Sequence, residues 1–195
     1  MKSIKLFCLF ILITTVFACG GGNNEPSLSL ETQSNTYNVR DTGPAGGLIF
    51  YVDSTQEHGL ETAPNDQSSG IRWHNGSYTT TGANAVAVGT GQANTTTIVA
   101  SQGAGSYAAS LCDNLTTSND GVLYSDWFLP SYDELLRMHS NLFFGATPVG
   151  GFTNNYYWTS SEIDANSSFM LYFGSSSGNI GDKVSTYHVR CIRAF

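Results

Sequence analysis

Three sets of residues in this sequence are of types that do chemistry. Asp133 and Glu134 are adjacent carboxylates, Cys112 and Cys191 are thiols, and Asn and Asp side chains gather in two polar stretches, 144–155 and 164–182. Neighbouring carboxylates suit acid–base work, thiols suit nucleophilic or disulfide chemistry, and grouped oxygens suit a polar ligand or a hard cation. His58, His74, His139 and His188 are scattered without the pairwise spacing of a zinc site. No Gly-x-Ser-x-Gly elbow or phosphate-binding loop appears. No metal, no other cofactor and no catalytic residue is expected.

The carboxylate pair has a structural reading in its context. Trp127-Phe-Leu129 is a short apolar run, and Pro130 stops any strand there and disfavours a helical Leu129. Ser131 then opens a helix. Its hydroxyl can take the Glu134 N–H while the Glu134 carboxylate takes the Ser131 N–H, a capping box, and Asp133 and Glu134 both suit the positive helix end. Leu135, Met138 and Leu142 follow at helical spacing, which demands a core.

The thiols lead to the compartment. Lys2 and Lys5 precede an apolar run from Leu6 to Phe17, too short for a permanent membrane span, and Ala18 stands before Cys19 and a Gly/Asn-rich segment. This resembles a bacterial lipobox. It predicts a signal peptide over 1–18, lipid on Cys19, a flexible tether over 19–38 and one domain over 39–195. The expected location is the bacterial cell envelope, at the outer membrane or cell surface, with the membrane as partner through the lipid. Cys8 leaves with the signal and Cys19 is used by lipid, so Cys112 and Cys191 remain for a single disulfide in an oxidising exterior. Removing Lys2 and Lys5 from the 8 basic residues leaves six against 15 acidic ones, a net charge of −9. Nucleic acid is thereby excluded as a partner. A monomer is expected.

Pattern places the elements. Leu48–Val52 and Leu60–Ala63 read as a hairpin, Ile71 to Gly91 as irregular chain anchored by Trp73, and Thr95–Gln102 as a helix capped by Asn94. Ala108, Leu111, Cys112 and Leu115 give the cleanest helical stripe, with Cys112 on its buried side. Tyr156–Ser161 and Phe169–Phe173 read as strands, Ser175–Gly181 as a turn, and Tyr187–Phe195 as a closing strand in which Val189 and Cys191 share a face.

In that order, Gly43-Pro-Ala-Gly-Gly-Leu-Ile-Phe-Tyr-Val-Asp53, His58-Gly-Leu, Ala63-Pro-Asn-Asp-Gln67, Gly89-Thr-Gly-Gln-Ala-Asn94, Ala108-Ala-Ser-Leu-Cys112, Asp126-Trp-Phe-Leu-Pro-Ser131, Tyr157-Trp-Thr-Ser-Ser-Glu162 and Val189-Arg-Cys-Ile-Arg193 resemble the Lcl C-terminal domain family, the C-terminal domain of a bacterial collagen-like adhesin. The collagen-like tract is missing here. The resemblance implies an α+β, C-type-lectin-like fold: antiparallel sheets with two to three helices, chain ends together, and a cysteine of a helix bridged to one of the last strand. In the adhesin this domain is associated with sulfated polysaccharides. A surface of charge −9 would hold a polyanion only if Arg72, Lys183, Arg190 and Arg193 cluster.

The functional expectation is recognition of an extracellular ligand, a glycan or a surface protein, by the two polar stretches. Asn154, Asn155, Asp164, Asn166, Asn179 and Asp182 are the candidate ligand-binding residues. Asp164, Asn166 and Asp182 carry oxygens that suit calcium, but their spacing matches no known calcium loop and the Glu-Pro-Asn and Trp-Asn-Asp motifs of calcium-dependent lectins are missing. Two alternatives stand beside it. One is a structural surface protein without a small ligand. The other is a formylglycine-generating type of enzyme, which needs a reactive cysteine and would draw it from Cys112 and Cys191.

Overall fold

A computed structural model describes residues 35–195. Cys19 and the predicted signal peptide lie outside the described residues, as does the tether up to residue 34. From Tyr37 the chain is already packed: its N–H donates to the Gln56 carbonyl at 2.8 Å and its ring stands edge-on to Phe195 at 4.9 Å. The first and last described segments therefore meet.

Strands β1 (Leu48–Val52) and β2 (Gly59–Thr62) form the expected antiparallel hairpin, with a bulge between Ile49 and Tyr51. The chain then lays down β3 (Ser68–Ile71), an irregular stretch, and helices α1 (Gly91–Gln102) and α2 (Ala108–Asp113). A small hairpin follows, β4 (Thr117–Asn119) and β5 (Val122–Tyr124). Its two-residue turn is Asp120-Gly121, with φ of 48° and 79°. Positive φ at both positions twists the turn to match the strands, which Asp-Gly tolerates. Helix α3 (Tyr132–Met138) runs into a π-helical turn, His139–Phe143. The last third is β6 (Tyr156–Glu162), β7 (Ser167–Tyr172), β8 (Ser177–Asp182), β9 (Tyr187–Val189) and β10 (Ile192–Ala194).

Over the described residues the fold is α+β, with three α-helices against mostly antiparallel sheets. One sheet has the order β1-β2-β10 and a second β3-β9-β6-β7-β8, in which only β6 and β9 run parallel. The expected single closing strand is two: β9 ends at Val189, Arg190 and Cys191 cross over, and β10 joins the other sheet.

Two buried clusters carry the packing, and the Trp127-Phe-Leu129 run divides its side chains between them. Trp127 and Leu129 enter the cluster that holds Trp73, Ile98, Tyr107 and Trp158, while Phe128 enters the one that holds Phe50, Leu135, Tyr157 and Phe173. Extended backbone sends successive side chains to opposite sides, so three residues tie both cores together. Phe128 also exchanges backbone hydrogen bonds with Ile192 of β10, at 2.8 and 2.9 Å.

Two local expectations are corrected. Asn94 does not cap α1: the helix begins at Gly91, and the Asn94 side chain, inside it, donates to the Ala85 carbonyl at 2.7 Å and to Ser160 Oγ at 3.3 Å. A buried amide with two tertiary acceptors outweighs its capping preference. Ser175–Gly181 is not a turn: from Ser177 it is strand β8, paired with β7 from Tyr172↔Ser177 to Ser167↔Asp182. Its glycines misled because their role is tertiary. A Cβ on Gly181 would stand 2.9 Å from the Trp158 ring and 3.0 Å from Tyr187, so only glycine lets these aromatics pack.

Candidate functional site

The adjacent carboxylates separate in space. Ser131 and Glu134 form the capping box, with the Ser131 N–H donating to Glu134 Oε2 at 2.7 Å and the Glu134 N–H to Ser131 Oγ at 3.4 Å. Glu134 also takes the Gly89 N–H at 2.8 Å and is fully buried. Burial pushes its pKa above the ordinary 4.5 despite these donors. Asp133 instead lines an open groove of about 450 Å³ beside Leu136 and Arg137. Glu134 is thus one of three buried glutamates that pin loops by their backbone N–H groups. Glu61 holds Ala45 and Gly47, and Glu162 holds Thr81 and Gly82.

The six candidate loop residues do not converge. Asp164, Asn166 and Asp182 meet at one end of the β7–β8 pair, where the Lys183 N–H donates to the Asn166 carbonyl at 2.8 Å and Lys183 Nζ to the Asp164 carbonyl at 2.7 Å. Their carboxylates are spent locally. Asp164 accepts the N–H groups of Asn166 and Ser167, both at 2.8 Å, and Asp182 accepts the Val184 N–H at 3.0 Å and the Tyr78 hydroxyl at 2.7 Å. Those donors hold both pKa values below the ordinary range. Asn154 and Asn155 lie at the opposite end of β6, and Asn179 sits mid-strand opposite Met170, its amide turned onto Ser177. Among the described residues no group of three or more His, Cys, Asp or Glu side chains is placed to hold a metal ion.

The cations proposed for a polyanion do not cluster either. Lys183 pairs with Glu162 at 2.6 Å, Arg190 with Asp66 at 2.7 Å, and Arg193 with Glu61 and Asp126, both at 2.8 Å. All three cations are buried; of the four, only Arg72 is exposed. The thiols are likewise committed: Cys112 of α2 is bonded to Cys191, with Cα atoms 5.3 Å apart.

What the fold does assemble is a row of tyrosines across three neighbouring strands. Tyr172 of β7 pairs with Tyr156 of β6, and the parallel bridge Tyr157↔His188 sets Tyr156 beside Tyr187 of β9. Ring centroids are 4.9 Å apart for Tyr172–Tyr156 and 5.2 Å for Tyr156–Tyr187, and Tyr187 leans on the sealed Trp158 at 4.5 Å. All three tyrosines are half-buried, and none of their hydroxyls bonds to another described residue. Sequence reasoning places Tyr157 and Trp158 in the core, where they are. It misses the row because adjacency depends on strand register, which no local pattern contains.

A second assembly also escapes the sequence. Asp66 accepts from Arg190 Nε at 2.7 Å and the Tyr157 hydroxyl at 2.9 Å, and its other contact is His188 Nδ1 at 2.9 Å. Burial pushes the Tyr157 hydroxyl pKa upward, so it serves as a donor. The four residues come from three segments far apart in the chain.

No protein-family model matches the chain, and no curated protein is similar to it.

Proposed function

We propose that this chain is a recognition protein of the bacterial cell envelope, held by lipid on Cys19 and carrying a C-type-lectin-like domain of the Lcl C-terminal kind that stacks an uncharged glycan on the tyrosine row. The row is the observation that carries the reading. A sugar presents an apolar C–H face and a rim of hydroxyls. Tyrosine offers the matching pair, a flat ring and a hydroxyl, and rings already packed against one another lose little freedom on binding.

Charge selects the glycan type. Lys183, Arg190 and Arg193 are neutralised by carboxylates, and the mature chain carries a net charge of −9 once Lys2 and Lys5 are removed. A sulfated chain would meet repulsion, whereas a neutral one meets none. The fold assignment draws support from the helix-to-terminus disulfide and the Tyr37–Phe195 contact that joins the chain ends. An enzyme of the formylglycine-generating type would first have to reduce the Cys112–Cys191 bond to obtain a thiol.

The test is a glycan array probed with the mature chain, its Tyr156→Ala and Tyr187→Ala variants, and the Tyr156→Ala/Tyr187→Ala double variant. Binding to neutral glycans should fall about fivefold or more for each single change, since losing one stacked ring removes roughly 1 kcal/mol or more. Binding that survives the double variant overturns the tyrosine row as the site. Exclusive binding of sulfated glycans overturns the charge argument.

A further inference from the structure

The Asp66 assembly fixes one side chain unusually firmly. Arg190 is only 2% exposed. Its Nε donates to Asp66 at 2.7 Å, its Nη1 donates to the Ala63 carbonyl at 3.2 Å and the Gly150 carbonyl at 2.9 Å, and the Phe152 ring lies 4.2 Å from the guanidinium carbon. Asp66 is in turn steadied by Tyr157 and His188. Nη2 is different: it donates to no other described residue. Arg190 lines a cavity of about 210 Å³ whose other walls include Gly47, Leu48, Ala63, Pro64 and Gly150. A merely structural arginine would be satisfied by its carboxylate and two carbonyls. This one keeps a nitrogen without a protein acceptor, on a side chain that lines a cavity.

We propose that this cavity is a binding site for a small neutral polyol, of the size of one sugar ring. The donor geometry decides against an anion. A carboxylate or sulfate is gripped by parallel N–H groups on two guanidinium nitrogens, and Nε and Nη1 are both engaged. Two N–H groups on the single remaining nitrogen fit separate hydroxyl oxygens. Charge agrees: Asp66 already balances Arg190, and the Glu61 carboxylate stands behind the wall, bonded to the Gly47 N–H at 3.1 Å. The apolar faces of Leu48, Ala63 and Pro64 suit the C–H side of a sugar ring. No residue of the tyrosine row lines the cavity, so this inference extends the recognition reading to a second subsite and stands or falls apart from it.

Amide NMR titration of the mature chain tests it, with D-glucose, D-galactose, D-mannose and N-acetyl-D-glucosamine each to about 100 mM, well beyond the millimolar Kd that a few hydrogen bonds supply. At least one sugar should shift the Gly47 and Gly150 resonances saturably, and sodium acetate should not. Pro64→Trp, at the exposed rim, should weaken that sugar about tenfold while the amide spectrum remains that of the folded chain. Failure of all four sugars, saturation by acetate, or equal affinity in Pro64→Trp overturns the site. Tyr156→Ala should leave these shifts intact; if it abolishes them, the sugar is reporting the tyrosine row and the cavity is not a separate subsite.

Discussion

Lys183 Nζ lies 2.6 Å from Glu162 Oε1, with side-chain exposures of 0% and 2%. The ammonium also donates to the carbonyls of Thr79 and Asp164 and sits 4.3 Å from the centre of the Trp73 ring. Removing one member of such a pair leaves the other charged and buried. Lys183→Met should therefore cost about 3–5 kcal/mol, and Lys183→Met/Glu162→Gln should recover part of it. Urea unfolding measures both. A single variant within about 1 kcal/mol of the parent would mean that water reaches the pair.

The same pair sets an acid limit. Burial alone would raise the Glu162 pKa, but Lys183 and the N–H groups of Thr81 and Gly82 outweigh it and hold the group below 4.5. A depressed carboxyl stabilises the fold above its unfolded value, and the benefit is lost as pH falls through the folded one. Melting temperatures taken downward from pH 5 should drop more steeply in the parent than in Glu162→Gln. Parallel curves would contradict the assignment.

Glu134 should behave in the opposite sense. Its pKa is raised by burial, so its contribution is fully present below 4.5 and fades as pH rises through the folded value. Glu134→Gln should show less decline between pH 4.5 and 7 than the parent. Glu134→Ala strands the Ser131 and Gly89 N–H groups, which costs about 1–3 kcal/mol for each donor left without a partner. Chemical denaturation at pH 7 would show the loss.

The Cys112–Cys191 bond closes a loop with a sequence separation of 79. Chain-entropy reasoning gives such a link about 4 kcal/mol, so Cys112→Ala/Cys191→Ala should unfold at correspondingly lower urea. Non-reducing peptide mapping should recover the linked pair; two alkylated thiols without prior reduction would refute it.

Lipid on Cys19 is read from the sequence alone. Fatty-acid labelling in a bacterial host should mark the parent and not Cys19→Ser. Label retained on the variant would remove the anchor from the proposal.

Several features were legible locally because the physics that fixes them is local. The Ser131–Glu134 capping box is a four-residue geometry, and the β1–β2 hairpin follows from a short apolar run and a turn. The inward placement of Ala108 and Cys112 on α2 follows from helical periodicity, although Leu111 of the same stripe stays half-buried outside the core, and the helix ends at Asp113 with Leu115 packing from beyond it. The disulfide followed from counting. The Asp120-Gly121 turn carried an equally local signal that the strand pattern around it was too short to reveal.

What the sequence by itself determined is thus the α+β class, the start of α3 and the cysteine pair. Only the tertiary structure decided which polar residues work together. Asp164 and Asn154, both candidates by composition, fall at opposite ends of β6, while Tyr156, Tyr172 and Tyr187, and separately Asp66 and Arg190, are joined across long stretches of chain. Strand register and the crossover from β9 to β10 make those joins. Both are settled by the summed burial of two cores, a quantity no window of sequence contains.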